Sequence, residues 1–272
     1  MEIKAADVMK LRRATNAGMM DCKKALQETE GDFDKAIDVI RKRGLIIASK
    51  RADREAKEGC VLSHAEGGKA VIVSLNCETD FVAMNENFVN FTRQILNVAL
   101  ANMPATKEEL LALQIDGRSI SDQIGEQTGI IGEKLELAFY GKIEAEATAA
   151  YVHPGNKLAT VVGFNQAADA SVMRDVAMQT AAMAPIAVDK TDVSPDVIAH
   201  ELEIAREKAR EEGKPENMLE KIAEGRLNKF YQESTLLNQS FVKDGKQTVK
   251  AYLASCNKDL TITGFERFTL NN

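Results

Sequence analysis

Long apolar runs are missing from this chain: no window approaches 18 consecutive apolar side chains, so no membrane-spanning helix is expected. The opening residues, MEIKAADVMKLRR, lack the apolar stretch of a secretory signal. Cytoplasmic localisation is therefore expected. Paired cysteines are missing too. Cys22, Cys60, Cys77 and Cys256 lie far apart with no C-x-x-C spacing, and in a reducing compartment they read as free thiols, some of them core-filling. A basic surplus is absent: the formal net charge is −6, which is not the footprint of a dedicated nucleic-acid binder. Catalytic signatures are also wanting. The three histidines (His64, His153, His200) form no H-E-x-x-H or His/Cys cluster, and no G-x-S-x-G elbow or phosphate-cradling G-x-x-x-x-G-K-[ST] occurs. Acidic pairs abound, but on helix faces where solvated charge is the ordinary explanation. No active site, metal or cofactor is expected.

What remains is 272 residues with 44% hydrophobic and 28% charged content, a globular composition long enough for two or more small cores. Residues 4–43 read as three short helices. Val8 and Leu11 give the first an apolar edge. The second follows the turn Thr15-Asn16-Ala17-Gly18 and carries Met19, Met20, Cys22, Ala25 and Leu26. In the third, Phe33, Ala36, Ile37 and Ile40 fall at i, i+3, i+4 and i+7. Gly31 stops the second helix, Asp32 caps the third, and Gly44 ends it. The resulting core is thin, so Met19 and Met20 either fill it or form a docking patch. The following RKRGLIIASKRADREAK (41–57) is rich in Lys and Arg; it reads as a solvated linker helix or, alternatively, as an RNA-contacting patch.

Two segments resemble each other. SHAEGGKAVIVSLN (63–76) and YVHPGNKLATVVGFN (151–165) each give strand, turn and strand, and each is followed by a helix closing on a proline, Pro104 or Pro185. Either this is an internal duplication or two short α+β pieces are alike by chance. Asn76 to Pro104 spans eight positions more than Asn165 to Pro185, an excess assigned here to CETDFVAMNEN. An addition to one copy, tipped with Asp80 and Phe81, looks like a tool on a scaffold; alternatively Phe81 and Val82 tuck into the local core. Residues 106–139 look helical, with Gly125, Gly129 and Gly132 as interruptions whose spacing is not a dinucleotide fingerprint. Residues 195–232 read as an antiparallel coiled coil: Ile198, Leu202, Ala205 and Ala209 face Leu219, Ile222, Ala223, Leu227 and Phe230 across the break Gly213-Lys214-Pro215. The tail 236–270 returns to strand-like pieces.

ATNAGMMDCKKALQETEGDFDKAIDVIRKRG, then VSLNCETDFVA, together with IGEKLEL (131–137) and QSFVKDGKQTV (239–249), closely resembles the bacterial elongation factor Ts family over essentially the whole chain. These are nucleotide exchange factors of the GTPase elongation factor Tu. The resemblance implies an α+β protein without bond chemistry of its own. Its implied parts are an ubiquitin-associated-like three-helix domain with linker (1–55), a core subdomain (56–145), a related second one (146–190 and 234–240), the coiled-coil insertion (191–233) and a C-terminal module with tail (241–272). It implies a Mg²⁺-displacing element at Thr79, Asp80, Phe81 and Val82. Further partner contacts are implied at Leu11, Met19, Met20, Lys23, Ile131, Gly132, His153, Phe241 and Val242. Elongation factor Tu, GDP-bound and nucleotide-free, is the implied partner; no direct nucleic-acid contact or membrane is expected. The helical hairpin is left open as a dimerisation or second-partner element. The rival reading is an RNA- or ribosome-binding translation accessory protein. Met84 departs from the family, whose members often carry a basic residue there.

Overall fold

The structure is a computed structural model that describes residues 3–15 and 17–271; Asn16 of the expected turn lies outside the described residues. Three helices come first: α1 (Ala5–Thr15), α2 (Met19–Glu28) and α3 (Phe33–Lys50). Leu11, Cys22, Ala25, Leu26, Ala36 and Ile40 form their shared core, with Phe33 and Ile37 packed against it. Asp32 caps α3 by accepting the Lys35 N–H at 3.1 Å, and Gly31 turns the chain before it with φ 88°. Gly44 does not end the third helix. α3 continues to Lys50 and so takes in the first part of the basic run.

The reason lies in a later helix. After β1 (Glu58–Glu66), β2 (Lys69–Cys77), α4 (Asp80–Ala83), α5 (Glu86–Asn102), α6 (Lys107–Ala112), β3 (Gln114–Ile115) and β4 (Arg118–Ser119) comes α7 (Ile120–Ile131). α7 runs unbroken through Gly125 and Gly129 and ends only at Gly132, which takes the left-handed φ of 78°. A Cβ on Gly129 would stand 2.0 Å from the Gly44 Cα. These glycines are therefore not breaks: at Gly44 and Gly129 α3 and α7 meet backbone to backbone, and Gly125 leaves room for the Leu45 side chain.

The second half contains β5 (Glu136–Glu144), β6 (Ala147–Val152), β7 (Leu158–Phe164), α8 (Ala170–Met183), α9 (Pro195–Glu211), α10 (Leu219–Ser234), β8 (Ser240–Phe241), β9 (Asp244–Thr248), α11 (Val249–Cys256) and β10 (Ile262–Thr269). β6 and β7 pair antiparallel with Tyr151 opposite Thr160, and β10 adds to the other side of β7. The sheet orders are β1-β2-β5 and β6-β7-β10. In both, a strand returning long after the hairpin joins the hairpin's second strand. Both helices that follow the hairpins also end alike, on a left-handed non-glycine residue (Met103, Ala184) just before a proline. The likeness between the two segments thus extends to their sheet order and to the ends of their helices.

The eight-residue excess divides differently from expectation. α5 begins ten residues after Asn76, whereas α8 begins five after Asn165; α5 has 17 residues and α8 has 14. Five of the extra residues therefore create α4 and its turns, and three lengthen α5.

The chain splits into two compact units: Met1–Leu62 with Val73–Tyr140 and Leu270–Asn272, and Ser63–Ile72 with Gly141–Thr269. Within the second, α8 lies on β6 and β7 over a core containing Val162, Phe164, Val176, Leu236, Phe241 and Leu253. α9 starts with Pro195 behind the cap Ser194, whose oxygen accepts the Val197 N–H. α9 and α10 pair through the buried Ala205, Ala209, Leu219 and Ala223, with Arg206–Glu220 and Arg226–Glu212 bridging their flanks. Three of these four seam residues are alanines, so the hairpin buries little apolar area. Among the described residues no helix is long and apolar enough to cross a membrane.

Candidate functional site: an exposed phenylalanine on a polar mount

α4 is only four residues long, and an isolated turn of this length is unstable in water. Thr79 caps it, its hydroxyl oxygen accepting the Val82 N–H at a long 3.5 Å. Ala83 is buried and Val82 half-buried, while Asp80 is exposed. Phe81 is 80% exposed, so it does not tuck into the local core. Beside it, Met84 is 70% exposed. A solvated ring of this size leaves roughly 2 kcal/mol of unrealised burial, available to whatever covers it.

The base of this element is tied down. The Glu133 carboxylate accepts the backbone N–H of Glu78 (3.1 Å) and of Thr79 (3.0 Å) on one oxygen, and the Thr79 hydroxyl (2.7 Å) on the other. The Glu78 carboxylate in turn accepts the Lys134 N–H (2.6 Å) and bonds from Arg51 (2.8 Å) and Arg54 (3.0 Å). The Lys134 amide, aided by the two guanidiniums, holds the Glu78 carboxyl down at about 2 against the cost of desolvation. Cys77, next in the chain, is buried, and burial pushes its thiol up to about 12; Cys60 rises to about 11 for the same reason. Burial thus favours the protonated thiol at both positions. Cys22 is also buried and free, and Cys256 is exposed and free.

Phe81, Val82, Asn85 and Phe88 line one side of a groove, with Gln127, Ile130 and Ile131 of α7 on the other. The structure thus brings Phe81 and Val82 together with Ile131, 50 positions after Phe81, and ties Thr79 to Glu133, the residue after Gly132. Ile130 also packs against the three-helix core. On that bundle Met20 is 63% exposed, and Met19 and Lys23 are exposed as well. Leu11, by contrast, is fully buried among Cys22, Ala25 and Leu26 and offers no free surface.

In the other unit, His153 is exposed in the β6–β7 turn, its Nδ1 3.1 Å from the Tyr151 hydroxyl. Phe241 is buried and stacked on Tyr252 with ring centroids 4.1 Å apart. Val242 is half exposed, and its N–H donates to the Gln179 side-chain oxygen at 2.8 Å. Gln179 and Gln239 are both fully buried and mutually bonded, and Gln239 also reaches the carbonyls of Met183 and Glu233. These two glutamines, with Glu78, Glu133, Arg51 and Arg54, are site-supporting residues that reading the sequence missed. An acid directly before the cap of α4 and another directly after the helix-ending Gly132 were the only visible signals.

Several charges of the basic run are spoken for. Arg41 reaches Glu126, Arg43 pairs with Glu28, and Arg51 and Arg54 serve Glu78. Among the described residues no three His, Cys, Asp or Glu side chains gather as a metal site.

The protein is thus α+β, with an exposed aromatic ring on a polar mount and an exposed methionine pair on a separate helix. The family model described as Elongation factor TS matches residues 78–272. Elongation factor Ts of Porphyromonas gingivalis is 54% identical over 272 residues, covering 100% of this chain and 99% of that one. The protein of the same name from Azobacteroides pseudotrichonymphae is 55% identical at the same coverage, and that of Flavobacterium psychrophilum 49% over 98% of both chains. The chain belongs to the elongation factor Ts family, and so to the factors of translation elongation.

Proposed function

We propose that this protein binds elongation factor Tu in its GDP-bound form and promotes GDP release, leaving a nucleotide-free complex into which GTP loads. The observation that carries the reading is the solvated Phe81 on a helix whose base is anchored by two carboxylates. It is a guanine-nucleotide exchange factor, with no bond made or broken by its own residues.

The physical problem is affinity. A P-loop GTPase holds its nucleotide through backbone amides, a lysine and a Mg²⁺ that demands near-ideal octahedral geometry. A Kd of about 1 nM corresponds to about −12 kcal/mol, so unaided release is slow. An exchanger has only to bind the nucleotide-free shape better than the loaded one, and linkage makes that penalty mutual. Loosening the nucleotide by ~10⁴-fold requires about 5.5 kcal/mol of differential binding. Exposed ion pairs supply roughly 0–1 kcal/mol each, so apolar anchors on a large interface must supply the rest.

In this reading Phe81 wedges between partner helices near the Mg²⁺ site, and Asp80 disturbs the polar network supporting the ion. Val82, Ile131 and Gly132 line the approach. Met19 and Met20, with Lys23, grip the nucleotide-binding domain through side chains that adapt to what they meet. His153 addresses another domain of the partner, and Val242 touches it from the C-terminal module. Leu11 and Phe241 act from within their cores, Leu11 packing with Cys22, Ala25 and Leu26 of α2 and Phe241 stacking on Tyr252 next to Val242 in the chain. The division into a three-helix ubiquitin-associated-like part, two related core subdomains, a coiled-coil insertion and a C-terminal module is part of the same proposal. The shared sheet order and the matched helix ends support the two related subdomains. The paired guanidiniums of the basic run disfavour the RNA-binding reading. Cytoplasmic work follows from the partner.

The deciding experiment loads elongation factor Tu with a fluorescent GDP and adds this protein with excess unlabelled nucleotide. Release that speeds up saturably with added protein supports the proposal. Release at the spontaneous rate refutes it.

A further inference from the structure

The mount itself carries a second conclusion, which rests on the exchange reading above. The pose of α4 is not set by burial. Of its four residues only Ala83 is buried, Val82 is half-buried, and the ring that would press on a partner is 80% exposed. What fixes the helix is a reciprocal exchange between two loops 55 residues apart. Glu133, just after the end of α7, accepts three hydrogen bonds from Glu78 and Thr79 at distances of 2.7–3.1 Å. Glu78, just before α4, returns the bond to the Lys134 N–H at 2.6 Å. Each carboxylate thus ties up the backbone of the other's loop. Hydrogen bonds to an ionised acceptor are shorter and about twice as strong as neutral ones, and four of them around one turn define its orientation. Arg51 and Arg54, past the end of α3, donate to Glu78 as well, Arg51 to the oxygen that accepts the Lys134 N–H and Arg54 to the other, and couple the helical bundle to the same turn.

We propose that Glu78 and Glu133 are positioning residues for nucleotide release: a carboxylate clasp that fixes the Phe81 helix against the end of α7. The clasp is made in the free protein, so the entropy of ordering α4 is lost before the partner arrives and not during the encounter. Loosening it leaves the docking surfaces intact but lets the ring swing. A displacement on the order of 1 Å at a working group costs on the order of 100-fold in rate. The cost therefore falls on the rate of the step after binding, not on binding itself.

The test is Glu133→Gln, which keeps size but replaces one acceptor oxygen by an NH₂ group facing donors. Release of fluorescent GDP from elongation factor Tu is followed over a concentration series, separating the plateau rate from the half-saturating concentration. The expected result is a plateau rate lowered by about 10-fold or more with half-saturation moved by less than about 3-fold. Adding Phe81→Ala to Glu133→Gln should then cost little more, because a ring already misplaced has little left to lose. A wild-type plateau in Glu133→Gln, or two effects that simply multiply, overturns the clasp. A wild-type protein that leaves GDP release unchanged overturns the exchange reading, and the clasp's role falls with it. Should Glu133→Gln fail to fold by circular dichroism, amide exchange in the wild-type chain decides. The N–H groups of Glu78, Thr79 and Lys134 should be protected like those of a strand, and exchange at an exposed-loop rate overturns the proposal.

Discussion

Gly129→Ala adds one methyl group to the middle of a helix, and on propensity alone should stabilise it by about 1 kcal/mol. The packing reverses that sign. The new Cβ would lie 2.0 Å from the Cα of Gly44 and 2.9 Å from its carbonyl carbon, where ordinary contact begins at 3.4 Å. Both obstructing atoms are backbone, so no side-chain rotation relieves the clash. α3 and α7 must part by more than 1 Å, emptying contacts along their whole crossing. Overpacking of a tight site costs about 1–3 kcal/mol and occasionally more, and a backbone-on-backbone clash belongs at the top of that range. The net expectation is a loss of about 2 kcal/mol. Gly225→Ala is the internal control: it too lies inside a helix, but a Cβ there meets nothing within 4 Å, so a gain of roughly 0.5–1 kcal/mol is expected. Urea unfolding followed by circular dichroism compares the two. A Gly129→Ala protein at least as stable as the parent would refute the close helix crossing.

Two further outcomes are expected from the same structure. The folded-state value of Glu78 is depressed, so its contribution is complete above its ordinary value of 4.5 and is lost as pH falls toward about 2. Glu78→Gln should therefore cost on the order of 2 kcal/mol at pH 7, after allowance for partial solvent screening, with the gap to the parent closing between pH 5 and pH 2. A pH-independent gap in thermal melts would contradict this. Leu11→Ala and Met20→Ala should separate cleanly: the first, fully buried, costs about 2–5 kcal/mol of stability, whereas the second leaves the melt nearly unchanged and weakens binding to elongation factor Tu. Equal stability losses would place Met20 in the core.

What reading the sequence could reach was local. Alternation and turn residues located both hairpins, and 3.6-residue spacing located α3 and the α9–α10 pair, because those signals lie within a few residues of each other. Asp32 as a cap and Pro195 as a first-turn residue were legible for the same reason. What stayed hidden depends on distant partners. Gly44 and Gly129 look like helix breakers alone and become helix-packing residues only when brought together across 85 positions. β5 and β10 lack the short turn that announces a hairpin, so their joining of the two sheets left no nearby mark. Residues Thr79 to Val82 were singled out by their contrast with the apolar strand before them. The acids that hold them in place look like any of the 41 in the chain. Leu11 and Phe241 were carried over from the family resemblance as contact residues. Only the fold reveals that both are buried, with Met20 and Val242 offering the free surface nearby in the chain.

The central claim is that an exposed ring, held on a polar mount, converts binding energy into nucleotide release. Stopped-flow release of a fluorescent GDP from elongation factor Tu, with the parent protein and with Phe81→Ala, measures that conversion directly. Phe81→Ala should leave the half-saturating concentration close to the parent's while lowering the plateau release rate on the order of 10-fold or more, the kinetic mark of an interaction made after docking. A variant that reaches the parent's plateau would contradict the account.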